Sequence, residues 1–217
     1  MQRIKGFSLA ATVLGLTMGA WAQTSTSTSP TATTSPNATS VPPTATKPKT
    51  SINQRKTDQQ DRVAQGLQSG QLTARETRNI EGKEAGLNKE ENAMRKADDG
   101  HLTSGDRQEL NQQQNKLSNQ IHQDKHNAAK AAQPGTELND RRVDQRDRIA
   151  QGVKSGQLTA GETAKIENRE VQTNKTEGAM KAANGGKLTQ ADKAELNKQY
   201  NKTSGKIYQD KRNGRTR

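Results

Sequence analysis

Residues 61–76 read DRVAQGLQSGQLTARE, and residues 147–162 read DRIAQGVKSGQLTAGE. Val63 and Leu67, at i and i+4, mark the apolar face of a helix that Gly70 closes. Thr73 then falls at the N-cap of a second helix, with Glu76 at its N3 position. The hydroxyl of the cap and the N3 carboxylate satisfy two backbone N–H groups that a helix start leaves unpaired. The stretch therefore predicts helix, tight turn, capped helix, and the chain writes it twice.

Working outward, the 86-residue offset holds without a gap from Ile52/Leu138 to Ala128/Gly214, and 42 of those 77 pairs are identical. That is a duplication. Each copy predicts three helices. The first runs from about Asn53 to Gln68. The second passes through Ile80, Leu87 and Met94, spaced by seven, and breaks at Asp99-Gly100. The third opens at Leu102-Thr103, with Asp106 at N3 and Leu110, Leu117 and Ile121 on one face. Leu158-Thr159-Ala160-Gly161-Glu162 and Leu188-Thr189-Gln190-Ala191-Asp192 do the same work in the second copy. Pro134, in Gln133-Pro134-Gly135, marks the boundary.

The expected fold is all-α: two tandem three-helix (helical hairpin) repeats over 52–130 and 138–214, joined by a linker at 131–137 and followed by a basic tail at 215–217. Seven-residue spacing suits long antiparallel helices packed along a narrow, coiled-coil-like seam. The core is thin. A copy offers about ten large apolar side chains, and the second loses two, Leu87 becoming Thr173 and Leu117 becoming Thr203. At about 1.5–3 kcal/mol per buried side chain, each copy needs support, from the other copy or from a second chain.

The N-terminus has the three parts of a secretory signal over residues 1–22. Arg3 and Lys5 are its positive region, Phe7 to about Ala20 its apolar stretch, and Ala20-Trp21-Ala22 its cleavage motif. The expectation is cleavage after Ala22, a mature chain without a transmembrane segment, and a bacterial periplasmic or secreted location. Residues 23–51 are dominated by Thr, Ser, Pro and Ala and read as a disordered, semi-rigid spacer. The chain has no cysteine, which excludes disulfides and thiolate metal ligands. Cleavage removes the one Trp and the one Phe, leaving Tyr200 and Tyr208. Aromatic side chains line most ligand pockets and supply much core area, so an enzyme is the least expected class. The net charge of +12 is uneven: residues 51–134 carry 13 basic and 12 acidic side chains, residues 135–217 carry 18 and 11.

Helix, G-x-L-T-x-x-[ED], helix, in windows around Gly70, Gly100, Gly156 and Gly186, resembles the second half of an EF-hand calcium loop. The resemblance implies a helix–turn–helix shape and places Glu76, Asp106, Glu162 and Asp192 at the last ligand position. Its first half departs from the pattern, with Gln65, Leu67 and Ser69 at the early ligand positions around Gly70, and Arg95 and Ala97 before Asp99 around Gly100. A degenerate calcium-responsive module is thus an alternative, with Asp98, Asp99 and Asp106 as the candidate calcium ligands. The whole chain is similar to exported bacterial helical-repeat proteins built from such units, a resemblance that brings no activity with it.

His122 and His126 stand at i and i+4, a spacing open to a transition metal, but their counterparts are Tyr208 and Arg212, and a solvated polar face is the expected reading. Carboxylates alternate with Lys and Arg as in solvated helix charge pairing, and no nucleophile–base–orienter set is visible. A further alternative is polyanion binding (envelope polymer, anionic lipid or nucleic acid) through the basic second copy, with Lys206, Lys211, Arg212, Arg215 and Arg217 as candidates. The leading expectation is a non-enzymatic interaction or structural module without a cofactor, its partner an envelope polymer or protein or a second copy of itself. Two like surfaces on one chain gain avidity.

Overall fold

The computed structural model describes residues 51–216, so the expected signal sequence, most of the expected spacer and Arg217 lie outside the described residues. Within them the chain is all-helical. The helices are α1 (Ile52–Gln68), α2 (Ala74–Ala97), α3 (Ser104–His126), α4 (Glu137–Lys154), α5 (Ala160–Ala183) and α6 (Gln190–Asp210). Among the described residues, none of them is long and apolar enough to cross a membrane.

Hydroxyl side chains start all six. Ser51, at the end of the Thr/Ser/Pro tract, caps α1 and accepts the Gln54 N–H at 3.1 Å. Thr136 caps α4 in the same way. The other four starts, at Thr73, Thr103, Thr159 and Thr189, are complete capping boxes closed by Glu76, Asp106, Glu162 and Asp192. The turn between α1 and α2 is built by close approach. The Leu72 N–H donates to the Gly66 carbonyl at 3.0 Å, and a Cβ on Gly66 would sit 2.6 Å from Leu72 Cδ1. Gly152 and Leu158 repeat this arrangement, again at 2.6 Å. Gly70 and Gly156 turn the chain at φ +68° and +72°, where a side chain would be strained.

Inside each copy the first and third helices run parallel. Arg55 donates to Asn111 at 2.9 Å and Arg62 to Ser118 at 2.8 Å; Asn197 to Glu137 and Arg148 to Ser204 join α6 to α4 likewise. The second helix runs antiparallel to the third, as Lys83 to Gln120 and Gln113 to Glu90 across α2 and α3 show.

The most extensive packing lies between the copies, α2 against α5 and then α1 against α4. Arg78 donates to Asn168 at 3.3 Å, and a Cβ on Gly161 would sit 3.8 Å from that of Ala85, so α2 and α5 are antiparallel. In first-copy numbers Asn168 is position 82 and Gly161 position 75, and both pairs therefore centre on position 80. An internal twofold axis thus passes beside Ile80 and Ile166, both fully buried. One core joins Leu67, Leu72 and Ile80 to Ile149, Val153 and Ile166. A smaller cluster of Leu138, Leu196 and Tyr200 covers the end of the second copy. The support that each thin core needs comes from the other copy.

Candidate functional site

The α2–α5 interface is not purely apolar. Glu81, Glu84 and Glu91 on α2, and Glu167, Glu170 and Glu177 on α5, are all buried. Their spacing of three and then seven keeps them on the helix face that carries Ile80 or Ile166. Burying a carboxylate requires partners or a shifted proton equilibrium, and the six divide between these two solutions.

The outer pair takes partners. Glu91 forms ion pairs with Lys56 of α1 and, at 2.8 Å, with Arg95. Burial pushes its carboxyl up, but the hydrogen bonds from Lys56 and Arg95 outweigh that and hold it below the usual range. Glu177 repeats the arrangement with Arg142 of α4 and, at 2.6 Å, with Lys181. Arg142 also donates to the buried Tyr200 hydroxyl and, at 3.1 Å, to Asn139.

The inner carboxyls lie near the axis. Glu81 accepts the Gln60 amide at 3.1 and 3.2 Å. The counterpart of Gln60 is Arg146, whose charge opposes the upward shift of Glu167. Burial first, and then the charges of Glu170 and Glu81, nevertheless drive the Glu167 carboxyl well above the usual range. Burial also pushes Glu170 up to about 7, against the attraction of Arg142 and Arg148. Oε1 of Glu170 has no hydrogen-bond partner among the described residues.

Two clefts flank this interface, related by the twofold. One, of about 370 Å³, has Glu167, Glu170 and Glu177 on one side, Arg142 and Arg146 on another, and Thr73 at the start of α2. The other, of about 800 Å³, sets Glu84, Asn88 and Glu91 with Lys56 and Gln60 against Thr159 at the start of α5. The linker makes them unequal. Ala131 donates to the Gly70 carbonyl at 3.0 Å, and the Ala132 carbonyl accepts from Arg146 at 3.0 Å, so Lys130, Ala131 and Ala132 wall the narrower cleft.

The residues singled out in the sequence fall elsewhere. Asp98 is the C-cap of α2, and Asp99 adopts φ +49° in the turn. Asp106 spends Oδ2 on the Thr103 N–H at 2.8 Å, and its hydrogen bonds to the Thr103 backbone and hydroxyl hold its carboxyl below the usual range. Among the described residues no group of three His, Cys, Asp or Glu side chains is disposed to hold a metal ion. The remaining positions that resemble an EF-hand's last ligand serve as clasps. Glu76 accepts the Thr73 N–H at 2.8 Å and Asn127, beyond α3, at 2.6 Å, and Glu162 binds Thr159 and Asn213 in the same way. His122 and His126 are exposed, and Nδ1 of His126 donates to the His122 carbonyl at 2.7 Å.

The described basic candidates, Lys206, Lys211, Arg212 and Arg215, lie at the end of α6 and just beyond it, and each has a contact within the chain. Lys206 pairs with Asp210 at 2.7 Å. The stem of Lys211 lies over Gly152, and Arg212 stacks 4.2 Å above the Tyr208 ring. Arg215 is 3.9 Å from Glu162. Arg217 is outside the described residues.

The buried carboxyls escape a reading based on charge alternation, which places them in solvent. A signal for them exists inside the chain: all three positions are identical in the two copies, while Gly82, Lys83, Glu90 and Asn92 beside them change to Asn168, Arg169, Thr176 and Gly178. The chain matches no family model, no curated relative and no solved structure.

Proposed function

We infer that the chain is a non-enzymatic, exported interaction module whose two clefts engage a component of the bacterial envelope. The observation that carries this reading is the internal twofold. It presents two like clefts, each walled by both copies, so one molecule has two related binding surfaces. Paired engagement raises retention on a repetitive polymer well above that of either cleft alone. The charged groups of Glu91 and Glu177 are neutralised by fixed partners, which suits recognition by shape and hydrogen bonding better than proton transfer.

The test is retention of envelope extract on immobilised protein. Asn88→Trp together with Asn174→Trp fills both clefts from their rims, and circular dichroism checks that the helices persist. Loss of retention in the filled variant, with partial loss in each single variant, supports the reading. Equal retention by wild type and filled variant sinks it.

A further inference from the structure

The narrower cleft is the better formed as a small-molecule site. Its volume of about 370 Å³ lies within the range of such sites. Its apolar wall is made of Ala74, Ala131 and Ala132 above Leu72 and Ile149. Arg142 and Arg146, both partly buried, line one side of it. Glu170 lies in the interior, 7 % exposed, with Oε1 lacking a hydrogen-bond partner. Lys130 and Lys181 are exposed at the rim.

Both rim ammoniums already make one contact, Lys181 to Glu177 at 2.6 Å and Lys130 to the Asn127 carbonyl at 3.3 Å. An ammonium carries three donors, so each retains capacity for a further acceptor. The cleft thus offers an acceptor without a partner, Glu170 Oε1, together with cationic groups, Arg142 and Arg146 on one side and Lys130 and Lys181 at the rim, beside an apolar wall. A simple anion would leave the Glu170 acceptor unmatched, and a simple cation would meet all four basic side chains, so the set fits a ligand with two opposite charges.

We propose that this cleft binds a small zwitterion of the amino-acid type, its ammonium on Glu170, its carboxylate toward Lys130 and Lys181, and an apolar side chain against Ala74, Ala131 and Ala132. The assignment rests on reading the clefts as binding surfaces and names the ligand class for one of them. The wider cleft has the uncharged Thr216 where the narrower one has Lys130, and Gln60 where the narrower one has Arg146, so the proposal does not extend to it.

Binding of an ammonium favours the ionised form of Glu170, which is largely protonated below about pH 7. The groups facing it are Glu167 and Glu177 of α5, Arg142, Arg146 and Arg148 of α4, and Tyr200 of α6, with Glu81 of α2 acting on Glu167. Guanidinium groups do not exchange protons near neutral pH, so the proton released on binding comes from the carboxyls.

The experiment is titration calorimetry of the full chain with L-leucine, with 3-methylbutylamine, which lacks the carboxylate, and with 4-methylpentanoate, which lacks the ammonium. Leucine should bind, both truncated probes should bind about tenfold more weakly or not at all, and leucine affinity should rise several-fold between pH 6 and pH 8 with proton release. Glu170→Gln keeps the shape of the side chain and should weaken leucine binding about tenfold, the usual effect of one charge-assisted hydrogen bond. Absence of heat with leucine up to about 10 mM, equal binding of leucine and the amine, or unchanged affinity in a folded Glu170→Gln variant would each overturn the proposal. If leucine fails while the filled variant still loses envelope retention, only the ligand class falls. If both fail, the clefts are not binding surfaces.

Discussion

Glu170→Gln should flatten the pH dependence of stability, and the size of the effect follows from the burial of one carboxyl. In the folded chain Glu170 titrates at about 7, against 4.5 for the unperturbed group. The folded state therefore holds this proton more tightly than the unfolded state. The stability it contributes is fully present below about pH 4.5 and is lost as pH rises through about 7. The rise from 4.5 to about 7 corresponds to about 3 kcal/mol, of which about 2.5 kcal/mol is lost between pH 5 and pH 8. Glutamine carries no charge at either pH, so any constant effect of the substitution cancels in the difference. Urea unfolding of wild type and variant at pH 5, 6, 7 and 8 measures it directly, and for a chain of this length the difference amounts to about 5–10 °C in melting temperature. Glu167 remains in the variant and titrates in the same sense, so the slope should shrink and not vanish. Equal slopes for the two proteins, within about 0.5 kcal/mol, would refute the argument that Glu170 is desolvated at the α2–α5 interface.

Three further perturbations test other parts of the structure. Thr73→Ala and Thr159→Ala each remove a capping-box hydroxyl and should cost about 1 kcal/mol, read as a lower urea midpoint with an unchanged slope. Gly66→Ala places a Cβ 2.6 Å from the fully buried Leu72 side chain; the expected loss is about 1–3 kcal/mol, and Gly152→Ala should match it within the scatter of the measurement. Arg142→Ala leaves the buried Glu177 with the exposed Lys181 alone and strips a donor from the Tyr200 hydroxyl; a loss of about 3 kcal/mol is expected, smaller at pH 5 than at pH 8 because an unpaired buried carboxyl takes up a proton.

Duplication followed by divergence gives the two clefts different electrostatics on one scaffold. Lys56 and Gln60 on α1 correspond to Arg142 and Arg146 on α4. The amide of Gln60 hydrogen-bonds Glu81, whereas the guanidinium of Arg146 bonds the linker carbonyl of Ala132 and acts on Glu167 through its charge. Gln114 is replaced by Tyr200, and both backbone carbonyls still accept the buried glutamine of the parallel helix, Gln59 at 2.7 Å and Gln145 at 2.6 Å. The new ring adds a hydroxyl that Arg142 reaches. The substitutions therefore cluster around the second copy's arginines, where the narrower cleft forms.

Much of the fold is legible without coordinates. The stretch 61–76 and its copy fix a helix, a turn at Gly70 and a capped helix, because a capping box joins residues three apart and a tight turn depends on one left-handed position. The same local chemistry sets the starts of α3, α5 and α6, and the carboxylates that resemble an EF-hand's last ligand, Glu76, Asp106, Glu162 and Asp192, are those that close the boxes.

What the tertiary structure alone decides is which helix faces meet. Ile80 and Ile166 are 86 residues apart, and nothing local states that α2 packs more extensively on α5 than on its own neighbour α3. That pairing carries six glutamates into the interior, where charge alternation along a single helix would leave them in water. Proton affinity is a property of the surrounding dielectric and not of the residue type, so the raised carboxyls of Glu167 and Glu170, and the clefts beside them, come into existence only when the two copies close on each other.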